Sequence, residues 1–512
     1  MNGADVPSRV ITGRAKLVIV YHRQPFDEVE TAQGVEYREH KSPNGIIPSL
    51  RGVCRSFDNP DEAMWVAWSR CTPGSIGYLF EPIVVPTPEG PLNIQRVGLT
   101  PEQVTSFYYV TSKAALWPIL HSFPERFDYD AAEWETFREV NRIFAEGVCA
   151  CAALGAVVWI HDYNLWLVPG FVRVQRPDLK IAFFLHTPFP GPDVFGILPW
   201  RVEILQSLLS CDRLGFHIPR YSQNFVTCAR ALCGAKASHR VSASDLLSQE
   251  GSVLHEPQFV TELELRGQKT HIDAIPLGIN APLIHQIRER VATRKRSAQI
   301  REELAVETVI LSVGRVDYTK GVVELLQAFE RLLARRTELS GCVKLVLTCV
   351  PPASGIEVYE DIQRDIEQRV GAINGRYSTL TWTPILLFTQ PFRFDELVAW
   401  YGAADICWVT PLRDGLNLVA KEFIVAKGGK TGVLVLSDFA GSVIELDEAI
   451  HCNPYSSRNM DASLDKALST PFEQAAHDSH LMFRRVCRNS IGHWTSEMMR
   501  RLGLTAARRP AA

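Results

Sequence analysis

The hydrophobic pattern of this chain alternates between two periods. Short apolar runs, KLVIVYH (16–22), MWVAW (64–68), PIVVP (82–86), VVWIHDYNLW (157–166) and KIAFFLHTPFP (180–190), read as buried strands. Between them, residues 101–121 and the segment YDAAEWETFREVNRIFAEGVCACA carry apolar residues at helical spacing, the second ended by Gly155. The polar stretch after the first strand is expected to be a long loop. Its SPNG sequence places turn residues before an apolar segment expected to begin a helix. Residues 240–270 are polar and irregular and read as a hairpin excursion, and AIPLGIN (274–280) closes the first half. The pattern then restarts. ETVILSVGRVD (307–317), KLVLTCV (344–350), ILLFTQ (385–390), ADICWV (404–409) and TGVLVLSDFAG (431–441) read as strands, separated by amphipathic helical segments such as VVELLQAFERLLARR and NLVAKEFIVAK. Strands alternating with helices predict an α/β protein made of two doubly wound, Rossmann-like units in tandem. The expected boundaries are a flexible leader (1–15), a first domain (16–280), a second (281–480), and a C-terminal helix (481–512) crossing back to the first.

Length agrees with two domains, because 512 residues exceed what one core usually serves. With 54 basic and 57 acidic residues and a formal charge of −3, neither nucleic acid nor an anionic membrane is indicated as the main partner. No apolar run reaches the ~18–20 residues of a membrane span. The N-terminal sequence lacks the apolar core of a signal peptide, so a cytoplasmic protein is expected. The 12 cysteines are scattered without a CxxC pair, which indicates reduced thiols rather than a zinc site or a disulfide framework.

Ligands of doubly wound sheets bind beyond the carboxyl ends of the strands. Asp162, His186, Arg315 and Asp414 all fall at predicted strand ends, in both halves. The stretch TPLRDGLNLVAKE (410–422) reads as strand, tight turn and helix. The unpaired N–H groups at such a helix start suit an anion, or sugar hydroxyls held by amides and one carboxylate. Glu422, about two turns further on, would reach another part of an elongated ligand. An ordinary strand–helix connection with a surface acid explains this stretch equally well. Arg315 and Lys320, in GRVDYTKG, would neutralise a leaving diphosphate without metal; taken alone they are equally a structural ion pair. Taken singly, His186, Asp162, Tyr108 and Trp117 more often mean core or buried hydrogen-bonded residues. GxGxxG, GxxxxGK, HExxH and GxSxG are absent, which removes the dinucleotide, P-loop and simplest hydrolase readings.

Taken together, FFLHTPFP, SVGRVDYTKG, VTPLRDGLNLVAKE and GVLVLSDFAG resemble the trehalose-6-phosphate synthase family of retaining, nucleotide-sugar-dependent glycosyltransferases. The resemblance runs from about residue 16 to about 470 and implies the GT-B fold, two Rossmann-like domains facing a deep cleft. Within the family, YHRQPFDEV, YREHKSPNGI, TSKAALWPILHSFP, HDYNLWL, LPWR, GFHIPRY, INGRYSTLTWTP and NPYSSRNMD resemble the glucosylglycerol-phosphate synthase branch. That branch implies glucose transfer from ADP-glucose to sn-glycerol 3-phosphate, with release of ADP and a role in compatible-solute synthesis under osmotic stress. The resemblance assigns Arg315 and Lys320 to the donor diphosphate. It gives Asp414, with backbone amides from Gly415 through Asn417, Leu418 and Val419, to the glucose hydroxyls, and Glu422 to the ribose. His186 is placed over the donor sugar and Asp162 near the acceptor and glucose. Asn44 and Gly45 stand where the family has a Gly-Gly pair touching the diphosphate. Arg23, Trp68, Tyr108 and Trp117 match acceptor-side residues, and Arg23 or Lys41 would hold the acceptor phosphate. Ala353 aligns with an arginine that binds glucose 6-phosphate in the trehalose enzymes, and alanine cannot make that contact. The implied partners are thus a nucleotide sugar and a small phosphorylated alcohol. No cofactor or catalytic metal is implied, and homo-oligomers are compatible with this reading. The alternatives are a trehalose-6-phosphate synthase using glucose 6-phosphate, a catalytically silent binding relative, and a nucleotide-dependent oxidoreductase, the last lacking its glycine fingerprint.

Overall fold

Runs of Val, Ile, Leu and Trp that are apolar on both faces form strands covered on both sides, as parallel sheets require. The computed structural model describes residues 13–31, 34–38, 45–57, 59–69, 82–87, 90–129, 131–243, 252–351 and 357–504. They fall into two units, the first drawn from 1–243, 256–275 and 494–512, the second from 244–255 and 276–493.

The first unit contains β1 (Ala15–Val20), β2 (Asp27–Thr31), β3 (Gly34–Arg38), β4 (Ala63–Trp68), β5 (Ile83–Val85) and β6 (Leu92–Val97). It continues with β7 (Ala152–His161), β8 (Lys180–Phe184), β9 (Arg213–Phe216), β10 (Lys236–Ser242), β11 (Gln258–Leu265) and β12 (Gln268–Ala274). Ten of these strands form one sheet in the order β10-β11-β12-β9-β8-β7-β1-β4-β6-β5. From β12 to β6 all neighbours run parallel, while β5, β10 and β11 pair antiparallel at the two edges. The strand order reverses between β1 and β7.

In the second unit, β13 (Thr308–Arg315), β14 (Val343–Val350), β15 (Ile385–Phe388), β16 (Ile406–Val409), β17 (Val433–Ser437) and β18 (Ile450–Cys452) form a sheet in the order β15-β14-β13-β16-β17-β18. Every pair is parallel. Its order reverses between β13 and β16, and a doubly wound sheet opens a ligand crevice at such a switch point. The helix Val322–Arg335 lays Leu325, Leu326, Phe329 and Leu332 onto this core. Each unit is therefore doubly wound, as the alternation of periods predicts.

Several local expectations need correction. The helix 131–151 stops at Cys151, and Gly155, with φ +68°, lies inside β7. Part of the polar loop after β1 is the β2–β3 hairpin, whose sequences DEVET and GVEYR carry no buried apolar face to betray them. By contrast, the hairpin expected at 240–270 is present: β11 and β12 pair antiparallel around Arg266 and Gly267 with β10 alongside, polar because they build a sheet edge. The C-terminal return comes later than 481. The helix Phe472–Arg488 belongs to the second unit, whereas Trp494 stacks on Trp159 of β7 with ring centroids 5.3 Å apart and Arg501 pairs with Asp273. Of the expected leader, 1–12 lie outside the described residues, and Ala15 already opens β1. Among the described residues no helix is long and apolar enough to cross a membrane.

Candidate active site

At the switch point of the first unit, β1 runs out into Tyr21, His22 and Arg23, and β7 ends in His161 followed by Asp162. Arg23 is fixed from two sides. Its Nη2 donates to the Tyr108 hydroxyl at 2.9 Å, and its carbonyl accepts from Trp65 Nε1 at 3.1 Å. Trp68, the last residue of β4, lies with its ring centroid 6.2 Å from that of Tyr108, and Trp117 lies 5.9 Å from Tyr163. Tyr108 stands on a π-helical stretch, Thr105–Leu116, which follows an α-helical turn begun by a Thr100/Gln103 capping box. Such i→i+5 segments are rare and occur at functional sites.

Asp162 has φ 71° and ψ 160°, a region costing a non-glycine residue about 1–3 kcal/mol. It is held there by its own N–H to the Phe184 carbonyl (2.9 Å) and by its carboxylate accepting from the Tyr163 N–H (3.1 Å). Burial pushes its pKa up to about 6, against the pull of backbone donors and of Lys113 and Arg23. Next to it, His161 Nδ1 and His186 Nε2 are 3.2 Å apart, and His217 packs edge-on to His186 with centroids 5.2 Å apart. Burial holds both His161 and His186 well below the usual imidazole range, and for His186 the neighbouring His217 and His161 add to it. The pair is therefore neutral at neutral pH and shares a hydrogen bond, not a charge.

The raised pKa of Asp162 has a stability consequence with a definite sign. The fold favours its neutral form, so its contribution is intact below the ordinary carboxylate pKa near 4 and is lost as pH rises through about 6. Asp162→Asn is expected to be more stable than the parent by up to about 3 kcal/mol above pH 6, the gap shrinking as pH falls towards 4. Thermal midpoints of the two proteins across that range check this, and a pH-independent gap would contradict it.

In the second unit the corresponding ends belong to β13 and β16. β13 ends in Arg315, and the chain turns through Asp317, whose carboxylate accepts from the Thr319 N–H at 2.9 Å, to Lys320 and Gly321. Gly321 has φ +64°, and a Cβ there would sit 2.0 Å from the Thr410 carbonyl oxygen, so only glycine lets this turn lie against the end of β16. The Leu412 N–H donates to the Thr319 carbonyl at 2.8 Å. This stitching sets Lys320 Nζ 2.7 Å from Asp414 Oδ2, and Asn417 Nδ2 donates to the same oxygen at 3.2 Å. Asn417 caps the helix Leu418–Lys427 by accepting from the Ala420 N–H at 3.2 Å, and the first amides of that helix have no intrahelical acceptor. The helix is anchored from below. Lys421 pairs with Glu445 at 2.5 Å and donates to the Leu277 carbonyl, while Glu422 accepts from the Tyr401 hydroxyl at 2.9 Å. Arg413 stacks over the Phe439 ring at 4.8 Å. Arg315 is exposed and, among the described residues, makes no hydrogen bond or ion pair through its side chain.

Of the residues singled out from the sequence, the structure gathers Arg23, Trp68, Tyr108, Trp117, Asp162 and His186 at strand ends or the adjoining helix of the first unit. It gathers Lys320, Asp414, Gly415, Asn417, Leu418 and Val419 in one loop–helix junction of the second, with Arg315 at the end of the neighbouring strand. Glu422 lies on the same helix, but its carboxylate is largely buried against Tyr401. Gly45, with φ +106°, opens the helix Ile46–Cys54. Lys41, Asn44 and Ala353 lie outside the described residues. Sequence reasoning left out His217, Lys113 and Tyr401. His217 carries the same strand-end signal as His186, whereas Lys113 and Tyr401 lie within helical segments that carry no such signal. Among the described residues no group of three or more His, Cys, Asp or Glu is placed to hold a metal ion.

Two doubly wound units, each with polar and charged residues at its switch point, narrow the kinship considerably. The family model for glycosyltransferase family 20 matches residues 15–503. The chain belongs to that family. It is a glycosyltransferase, and its similarity extends over nearly its whole length. It is 45% identical over 486 residues to the glucosylglycerol-phosphate synthase of Synechocystis sp., covering 95% of this chain and 97% of that one. Among solved structures it resembles a UDP-forming α,α-trehalose-phosphate synthase from Burkholderia xenovorans in complex with glucose-6-phosphate. The TM-score is 0.81 at 29% identity, covering 95% of this chain and 100% of that one. The E. coli trehalose-6-phosphate structure bound with UDP-2-fluoro glucose gives the same score at 27% identity, covering 96% of this chain and 100% of that one.

Proposed function

We propose that this glycosyltransferase moves glucose from ADP-glucose to sn-glycerol 3-phosphate with retention at the anomeric carbon, in the cytoplasm, as a step in making a compatible solute. The observation that carries this reading is the constellation on the second unit. Two cations, one of them paired with Asp414, stand with a helix N-terminus at the switch point of a doubly wound sheet. The 45% identity to a glucosylglycerol-phosphate synthase supports the acceptor. In this scheme the acceptor hydroxyl attacks the anomeric carbon on the face from which the diphosphate leaves. The bond from that carbon to the phosphate oxygen breaks, the new bond to the acceptor oxygen forms, and the departing phosphate takes the hydroxyl proton. Arg315 and Lys320 stabilise the charge on the leaving diphosphate by fixed positive charge. Asp414 and the amides of Gly415 through Val419 hold the glucose hydroxyls, and Glu422 faces the ribose. Neutral His186 donates or accepts one hydrogen bond over the sugar, and Asp162 orients the acceptor. The proposed donor residues Arg315, Lys320 and Asp414 belong to the second unit, and the proposed acceptor residues Arg23, Tyr108 and Asp162 to the first.

Nucleotide release measured for ADP-, UDP- and GDP-glucose, each against sn-glycerol 3-phosphate and glucose 6-phosphate, tests the reading. Release is expected chiefly with ADP-glucose and sn-glycerol 3-phosphate. Faster release with glucose 6-phosphate would make the protein a trehalose-6-phosphate synthase instead.

A further inference from the structure

We propose that Lys113 is a second cation for the acceptor's phosphate, seated beside Arg23 around Tyr108, and that it tunes the enzyme towards a phosphorylated acceptor. This rests on the proposed function and names a residue of that acceptor site which the family-level reading does not supply. Lys113 Nζ lies 4.1 Å from the centroid of the Trp117 ring and 5.7 Å from that of Tyr108. Arg23 Nη2 reaches the hydroxyl of the same Tyr108 at 2.9 Å. The placement depends on the π-helix. Five residues apart on an α-helix, positions 108 and 113 would point about 140° from one another. In the i→i+5 stretch Thr105–Leu116 they stack on one face.

The surroundings favour an anion. Burial, and then the charges of Arg23 and Lys113, keep His22 neutral, so the imidazole does not compete as a cation. Asp162 feels both cations and, with its pKa pushed up to about 6, is a single negative charge facing two positive ones at neutral pH. An ammonium is a compact point charge with three donors, suited to a phosphomonoester, and the ring faces of Trp117 and Tyr108 hold it in place. A purely structural cation–π contact would move stability but not the affinity for one substrate.

Lys113→Met and Lys113→Arg in the full-length enzyme separate the two roles. With ADP-glucose saturating, Lys113→Met is expected to raise the KM for sn-glycerol 3-phosphate about 10- to 100-fold. The donor KM should stay within about twofold, and Lys113→Arg should recover most of the loss. An unchanged acceptor KM in Lys113→Met, or equal losses for donor and acceptor, would overturn the proposal while leaving the proposed function standing. If the parent enzyme turns over no phosphorylated acceptor, the proposed function fails by itself. Calorimetric binding of inorganic phosphate then decides for Lys113: a tenfold weaker Kd in Lys113→Met upholds its role, and equal Kd values overturn it.

Discussion

Arg315→Ala is expected to lower turnover by about 100- to 1,000-fold while leaving the thermal midpoint within a degree or two of the parent. The split follows from where the side chain stands. It is exposed at the end of β13 and has no hydrogen bond or ion pair among the described residues, so the fold loses nothing when it goes. Its role in the proposed reaction is confined to the moment when the sugar–phosphate bond breaks and negative charge gathers on the diphosphate. A fixed guanidinium that meets such charge stabilises the transition state more than the ground state, so the loss should appear in kcat more than in the donor KM. Steady-state kinetics with scanning fluorimetry checks both halves. Near-normal turnover would remove Arg315 from the mechanism, and a large fall in midpoint would make it structural.

Asp414→Ala should be nearly as severe, by a different route. Asp414 Oδ2 accepts from both Lys320 Nζ (2.7 Å) and Asn417 Nδ2 (3.2 Å), so one carboxylate fixes the proposed diphosphate cation and the cap of the helix Leu418–Lys427. Removing it deletes the proposed sugar ligand and lets Lys320 leave its position, each a charge-assisted contact of about 1.5–3 kcal/mol. The expected outcome is a fall in kcat/KM of about 100- to 1,000-fold. The Kd for ADP should rise by a smaller factor, up to about 10-fold, since Lys320 loses the anion that positions it on the diphosphate while Arg315 keeps its place. Kinetics and ADP titration on the same variant check the pair of outcomes. A variant that loses ADP binding would mean that Asp414 acts through local folding, and one with parental kcat/KM would mean that it does not touch the sugar.

Much of this site was readable in the sequence because one physical rule does the sorting. Parallel strands buried on both faces must be apolar, so the first polar residues after each run mark the edge where ligands bind. That rule marks Arg315, Asp414, Asp162 and His186, and in RLGFH it marks His217 as well. Lys113 is not legible from the sequence, because regular helical spacing reads as an α-helix, on which it faces away from Tyr108. Nothing in TSFYYVTSKAAL announces a π-helix, whose stability comes from tertiary packing. The edge strands β2, β3 and β10 escaped because a solvated strand needs no apolar run. Tyr401 was invisible as a partner of Glu422, since that hydrogen bond joins residues from different helices. Gly321 is the converse case: glycine in TKG reads as a turn signal, and the close approach of Thr410 shows why no other residue fits.

In the proposed reaction a phosphorylated alcohol captures glucose on the face its diphosphate leaves. That transfer is tested most directly by the product formed from ADP-glucose and sn-glycerol 3-phosphate. Proton NMR of that product, with ADP quantified in parallel, is predicted to show an α-linked glucosylglycerol phosphate formed in equal amount to ADP. A β-linked product, or ADP accompanied by free glucose alone, would contradict it.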